Sequence, residues 1–240
     1  MDSPTTDKSK GEVRVGRIID RKNPSCGDFT LIIVMMKSHS KWWPLSPYYL
    51  KTKEGYIHEN IWQFSKIYPV VPKSDQKYSR FDSTIIWSWP EEAHMENNEI
   101  LPAYWKWRTA GFQNEYAVRY PVGFRNRHSV KCHIKDEERL DYVTARKKIY
   151  LPLYLELVKQ QPLFEELKER LLKGENLLIA EVDGPHEESL KYYIEKYKVG
   201  TDFIESNTML ATPANLDIML NDTKHAFGHG YCLAMALLDL

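Results

Sequence analysis

Glu59, Gln63 and Lys66 recur at i, i+4 and i+7 in the stretch "HENIWQFSK", residues 58–66. On a helix they share one face. The same stretch carries Ile61, Trp62 and Phe64, which require apolar surroundings. A carboxylate, an amide and an ammonium in such company must pair internally or open onto a cavity, because buried polar groups are costly without partners. In a cavity the carboxylate can act as a general base or stabilise a developing positive charge. The plain alternative is a solvated face with an i,i+4 contact worth about 0.2–0.5 kcal/mol.

Three further segments carry chemistry. In "EVDGPHEES" an acid, Asp183, ends a short strand where ligands commonly meet loop edges; Asp-Gly-Pro is also a common turn. In "NDTKHAFGHGYCLAMALL" Gly228 and Gly230 bracket His229 ahead of a helix of small and apolar residues. Glycines there allow unusual backbone angles and close approach, and the first N–H groups of the helix can hold an anion such as phosphate. The spacing is neither a P-loop nor GxGxxG, so the other reading is a tight turn. His225 and His229 are four apart but separated by Gly228, and no third ligand is evident, so no metal site is expected. Finally, Arg108, Arg119, Arg125 and Arg127 stand among aromatics. They can grip phosphate and stack a base, or simply bond surface carboxylates. GxSxG, HExxH, paired CxxC and Walker motifs are absent.

The elements that must position these residues are mostly helical. "EVRVGRIID" alternates as a strand with Val13, Val15 and Ile18 inward, and "DFTLIIVMM" (28–36) reads as a buried strand. The spacing predicts a helix from His58 to Ile67, ended by Pro69 and Pro72, a short strand in "TIIWSW" (84–89), and a helix over 101–112 stopped by Gly111. Helical periodicity is strong from Asp136 to Lys173, with Pro152 and Pro162 dividing it or sitting in first turns. "ENLLIAEVDG" (175–184) is the clearest strand and turn. Helices follow over 186–197, after a Thr212 cap with Pro213, and at the carboxyl end. Helices outnumber strands without βαβ alternation. The expected fold class is α+β, a helix-rich single domain with a small β-sheet over 12–240, preceded by a disordered tail at 1–11 and including a divergent middle region at 73–135, of which 73–100 is the least regular part.

The chain has 240 residues, enough for a sizeable core, with 33 basic and 33 acidic residues. Zero formal net charge signals no general grip on nucleic acid, although a local basic groove is compatible with it. Cys26, Cys132 and Cys232 are an odd, widely spaced set, which argues against a disulfide framework. With no apolar leader and no 18-residue apolar window, a cytoplasmic location and no membrane partner are expected.

Together these segments resemble the NADAR family, which includes YbiA-like N-glycosidases acting on riboflavin-pathway intermediates and enzymes that remove ADP-ribose from nucleobases. The family's early glycine, Glu, aromatic, Gln and Lys read here as Gly55, Glu59, Trp62, Gln63 and Lys66. Its long Lys-rich helix, "LL" end and acid-terminated strand look like "ARKKIYLPLYLELVKQQPLFEELKERLLKGENLLIAEVD". Its closing Asp, Trp-Gly-Asp and Leu/Met helix correspond to "NDTKHAFGHGYCLAMALL", with Phe227-Gly228-His229 in place of Trp-Gly-Asp. The likeness covers about 45–68 and 140–240, and a helix is inserted before the final motif.

The resemblance implies an N-glycosidase, a hydrolase needing no cofactor. Its partner is a small nucleotide or ADP-ribose derivative, or a modified nucleobase within nucleic acid. It places Glu59 beside the sugar at the bond being broken, where a carboxylate stabilises an oxocarbenium-like state and orients water. Asp222 or Asp183 supplies a second carboxylate. His229 protonates the leaving base or holds phosphate. Trp62 and Phe227 stack the base, Lys66 or Arg119 meets phosphate or ribose, and Gly228 and Gly230 wall the pocket. The alternatives are a nucleotide-binding module that has lost the chemistry, as the altered Trp-Gly-Asp suggests, and a protein-interaction domain with structural charges.

Overall fold

The computed structural model describes residues 10–34, 40–71, 85–86, 91–119 and 130–240. The elements that position the chemistry are, in chain order, β1 (Val13–Arg17), β2 (Thr30–Ile33), α1 (His58–Phe64), α2 (Pro102–Phe112), β3 (Leu177–Glu181), α3 (Leu190–Tyr197), β4 (Thr208–Leu210), α4 (Pro213–Asn221) and α5 (His229–Leu237). The mixed helix and small-sheet content is as expected. The chain divides into two compact units, one running to Leu45 and resuming at Val158–Leu240, the other spanning Ser46–Leu157.

The first unit is built on a four-stranded sheet ordered β4-β1-β3-β2. β3 pairs in parallel with β1, from Val13↔Leu177 to Arg17↔Glu181, and with β2; β4 is antiparallel to β1. All five residues of "LLIAE" are buried, the near-continuous apolar pattern of a strand covered on both faces. The helix α5, buried along its whole length, packs on β1 and β3. Val13 and Val15 are in the core as expected, whereas Ile18 lies beyond the strand and is half-buried. Of the predicted tail, residues 1–9 lie outside the described residues, and the Gly11 N–H donates to the Leu171 carbonyl.

The second unit gathers α1, α2 and short strand pairs around Phe64, Ile67, Tyr68, Val71, Tyr104, Trp107, Val118 and Ile134. α1 ends at Phe64, so Lys66 belongs to the strand Lys66–Ile67 rather than to the helix. Asp136 and Leu140 are not helical either. Cys132–Lys135 and Glu138–Leu140 form a hairpin whose two turn residues, Asp136 and Glu137, have φ of 46° and 68°, the primed-turn geometry that matches strand twist. The helical run begins at Tyr142, capped by the Asp141 carboxylate on the Thr144 N–H at 2.9 Å. It widens to a π-turn at Arg146–Tyr150, immediately before Pro152. Proline removes the N–H that would bond the carbonyl four residues back; that carbonyl, Lys148 O, accepts from Lys135 Nζ at 2.9 Å instead. Pro162 starts the helix Pro162–Leu172, and Thr212 caps α4 as expected, its hydroxyl accepting from the Asn215 N–H at 3.1 Å. Most of the "TIIWSW" expectation lies outside the described residues; the backbone at Ile85–Ile86 is a strand parallel to Ala117–Val118.

Gly111 does not stop α2, which continues to Phe112. Its smallness is needed for packing: a Cβ there would lie 2.0 Å from Phe64 Cδ1, on a ring that is fully buried. Ala raises helix propensity by up to about 1 kcal/mol over Gly, but forcing a methyl into a packed core costs about 1–3 kcal/mol. Gly111→Ala is therefore expected to lower stability despite the better helix former, as measured by the denaturation midpoint.

Candidate functional site

The sequence-nominated residues fall into two groups, one in each unit. In the second unit, α1 presents Glu59 and Gln63, each 5% exposed. Gln63 Nε2 donates to Glu59 Oε1 at 2.6 Å, and Lys66 Nζ donates to Gln63 Oε1 at 2.8 Å. The expected line of carboxylate, amide and ammonium exists as a hydrogen-bonded row, although its last member comes from a strand. Burial pulls the Lys66 ammonium down to about 8; the Glu59 carboxylate opposes this and the Arg119 charge adds to it. Lys66 therefore titrates close to neutrality, unlike an ordinary surface lysine. Arg119 is itself exposed.

The residues around the row hold it rigid. Asn60, fully buried, is a clamp that sequence reasoning missed: its amide donates to Tyr116 O at 2.9 Å and Asn114 O at 3.3 Å, and accepts from the Val118 N–H at 2.7 Å. This fixes the backbone that leads to Arg119. His58 donates from Nε2 to Tyr150 O at 2.9 Å. Trp62 is 8% exposed, and His133 is stacked on it with ring centroids 4.3 Å apart. One face of the expected base-stacking residue is thus already covered. His133 is positioned in turn by Ser65, whose hydroxyl donates to Trp62 O at 2.7 Å and accepts from His133 Nδ1 at 2.9 Å.

At the end of β3 in the first unit the buried acid is Glu181, 2% exposed, and not Asp183, which is exposed in the following turn. Glu181 ends the central strand, and its Oε2 accepts from the Gly230 N–H at 2.7 Å. Oε1 accepts from the Asp183 N–H at 3.2 Å, and His229 Nδ1 lies 3.5 Å from Oε2. The start of α5 does bind an anion, but that anion is a side chain of the same protein. The Gly230 N–H, one of the groups expected to meet phosphate, is thus occupied by Glu181. Gly228 has an ordinary φ of −84°, so its lack of a side chain serves space and not backbone freedom. A Cβ on Gly228 would stand 2.4 Å from Glu181 Cδ, and one on Gly230 3.0 Å from Oε2. The signal for Glu181 was its place as the acid that closes an unbroken apolar strand.

The other nominated residues are engaged locally. Phe227, 5% exposed, stacks on Tyr231 with centroids 5.2 Å apart. Asp222 is fully buried and surrounded by Tyr192, Tyr193, Tyr197 and His225. His229 is 9% exposed, and its Nε2 has no hydrogen-bond partner among the described residues. Arg125 and Arg127 lie outside the described residues. Among the described residues no cluster of His, Cys, Asp and Glu could hold a metal ion, and no helix is long and apolar enough to cross a membrane.

Two outcomes follow from this geometry. Gly228→Ala should destabilise by about 1–3 kcal/mol, and in the Glu181→Ala background the same change should cost clearly less, since the carboxylate it strikes is gone; a double-mutant cycle of unfolding free energies reads the difference. Burial holds His133 down at about 3, with the Lys66 charge adding to it, and burial holds His94 at about 4. Both bind protons more readily when unfolded, so their contribution to stability is intact above pH ~6.5 and is lost as pH falls toward those values, at up to about 1.4 kcal/mol per pH unit each. His133→Phe keeps the stack on Trp62 and should flatten that acid slope in denaturation measured between about pH 7 and 4.

Compared with known proteins, the chain matches no family model, no curated protein sequence and no solved structure.

Proposed function

We propose that the protein is an N-glycosidase of the NADAR type. It would hydrolyse the N-glycosidic bond of a nucleotide-like or ADP-ribose-linked substrate, with Glu59 as the carboxylate beside the anomeric carbon. The observation that carries this reading is the hydrogen-bonded row Glu59–Gln63–Lys66, whose carboxylate and amide are buried and whose ammonium is half-buried. A carboxylate kept from water and aligned by one amide is a preorganised negative charge, the requirement for stabilising an oxocarbenium-like state. Water adds to the anomeric carbon as its proton passes to Glu59, the base departs with the bonding pair, and the proton held by Glu59 is returned to the base through solvent, restoring the carboxylate. Lys66, titrating near 8, suits an anionic phosphate at neutral pH.

The reading gives Asp222 no part in the chemistry, because its carboxylate is already engaged by His225 and the tyrosines. One observation favours the alternative of a nucleotide-binding module without turnover: Phe227-Gly228-His229 stands where the family it resembles has Trp-Gly-Asp, so the acid of that motif is missing. Glu59→Gln separates the two. The glycosidase reading expects base release from a panel of nucleotide and ADP-ribose conjugates. Glu59→Gln would lower that release by at least about 100-fold, on the scale of a lost general base, while the ligand-induced rise in melting temperature persists. Release unchanged by Glu59→Gln overturns the mechanism, and a thermal shift without release by the native chain selects the binding module.

A further inference from the structure

In the first unit, a cavity of about 220 Å³ is bordered by Arg17, His186, Ser189, Tyr193, Lys224 and His225. It adjoins the carboxyl end of β1, where Arg17 is paired with Glu181. The imidazole of His225 has Asp222 and Tyr193 Oη (2.9 Å) at Nδ1 and Ser189 at Nε2. Asp222 Oδ2 accepts from His225 Nδ1 at 2.6 Å, and His225 Nε2 lies 3.2 Å from Ser189 Oγ. We propose that Ser189, His225 and Asp222 form a nucleophile, base and orienting carboxylate that hydrolyse a short, negatively charged carboxylic ester in this cavity.

Three observations support the assignment. First, the tautomer is fixed. A carboxylate only accepts, so Nδ1 carries the proton and Nε2 turns its lone pair toward the hydroxyl. The Tyr193 ring lies against the imidazole with centroids 5.2 Å apart and 30° between planes, holding its orientation. Second, Asp222 is built to stay ionised. Burial alone would push its carboxyl up, but hydrogen bonds from Tyr192 at 2.5 Å, His225 at 2.6 Å and Tyr197 at 3.0 Å hold it well below the ordinary carboxylate range. Third, Ser189 closes the 3-10 turn Glu187–Ser189 that runs into α3, with its own backbone already helical and the turn capped by His186, so its hydroxyl is not needed as a cap and turns to His225.

The cavity sets the substrate class. It is smaller than the roughly 300–1,000 Å³ of pockets for drug-sized ligands, so the acyl group is short. Arg17, which donates from Nη1 to Gly184 O at 3.0 Å, and Lys224 supply two positive charges on a border that carries one carboxylate, Asp183. They suit an anionic acyl group and the negative charge that develops on the ester carbonyl. In the reaction Ser189 Oγ bonds to the carbonyl carbon as its proton moves to His225 Nε2. The bond to the alcohol oxygen breaks and the alcohol leaves with that proton. Water then adds to the acyl-serine, giving its proton to Nε2, and the acid is released as Ser189 recovers the proton. Ser189 and His225 are the catalytic residues; Asp222 is a positioning residue.

The test uses the full chain with p-nitrophenyl acetate, p-nitrophenyl succinate and a fluorophosphonate reporter. The expected result is a reporter adduct mapped to Ser189, turnover favouring the succinate, and loss of both adduct and turnover in Ser189→Ala at unchanged melting temperature. His225→Gln should reduce kcat/KM about 100- to 10,000-fold. Asp222→Asn should lower kcat with little change in KM, Asp222→Glu should restore part of it, and Arg17→Met should erase the succinate preference. An unlabelled Ser189 in the folded native chain, or turnover surviving Ser189→Ala, overturns the proposal. It stands apart from glycoside cleavage, since ester hydrolysis and base release are read by separate assays.

Discussion

A carboxylate withdrawn from water must be given donors by its own chain, and this constraint organises the chemistry of both units. Three acids meet it in three ways. Glu181 is met by a main-chain N–H at a helix start. Glu59 is met by an amide four residues on along the same helix. Asp222 is met by the hydroxyls of Tyr192, Tyr193 and Tyr197, by His225 and by main-chain N–H groups. These partners differ in what they leave available. The main-chain donor cannot be changed by side-chain substitution, and it locks the central strand to the last helix. The amide can rotate, so the Glu59 row is the more adaptable of the two. The imidazole has a second nitrogen, so the Asp222 arrangement passes its orientation on to a further group.

The same constraint explains what was legible in the sequence. Periodicity put Glu59 and Gln63 on one face correctly, because side-chain period is a local property. It ran one element too far at Lys66, where pairing with Cys132–Lys135 (Lys66 with His133, Ile67 with Cys132) converts the chain to a strand; strand pairing is set by a distant partner that no window of sequence contains. The hairpin at Asp136–Glu137 was hidden for a related reason. Its turn residues adopt positive φ without the Asn-Gly signature, and the surrounding charged residues keep a helical period. Thr212 and Pro213 were legible because capping uses residues three apart.

The nominated site residues show the limit of a family likeness. Order and spacing found the glycine turn, but the reason for the glycines is a side chain almost fifty positions away in the chain. Asp183 drew notice as the acid beside a Gly-Pro turn, while the buried acid sits two residues earlier inside an apolar run. Asn60 drew no notice, and His225 was weighed only as a metal ligand, for a simpler reason. Each works through several partners that only folding brings together: Val118, Asn114 and Tyr116 for one, Ser189 and Asp222 for the other.

The strand order β4-β1-β3-β2 has a consequence for how the chain is made. β1 takes both its neighbours from residues beyond 176, and the entire Ser46–Leu157 unit intervenes. A ribosome releases that unit as one uninterrupted stretch, able to fold as soon as it emerges. The amino-terminal strand must wait, its edges unsatisfied, until more than 160 further residues have been synthesised. Closing so long a loop costs entropy before any parallel pairing repays it. Forming the sheet therefore carries the larger entropic cost of closure, and while β1 and β2 stand unpaired their open edges are templates for association with other chains.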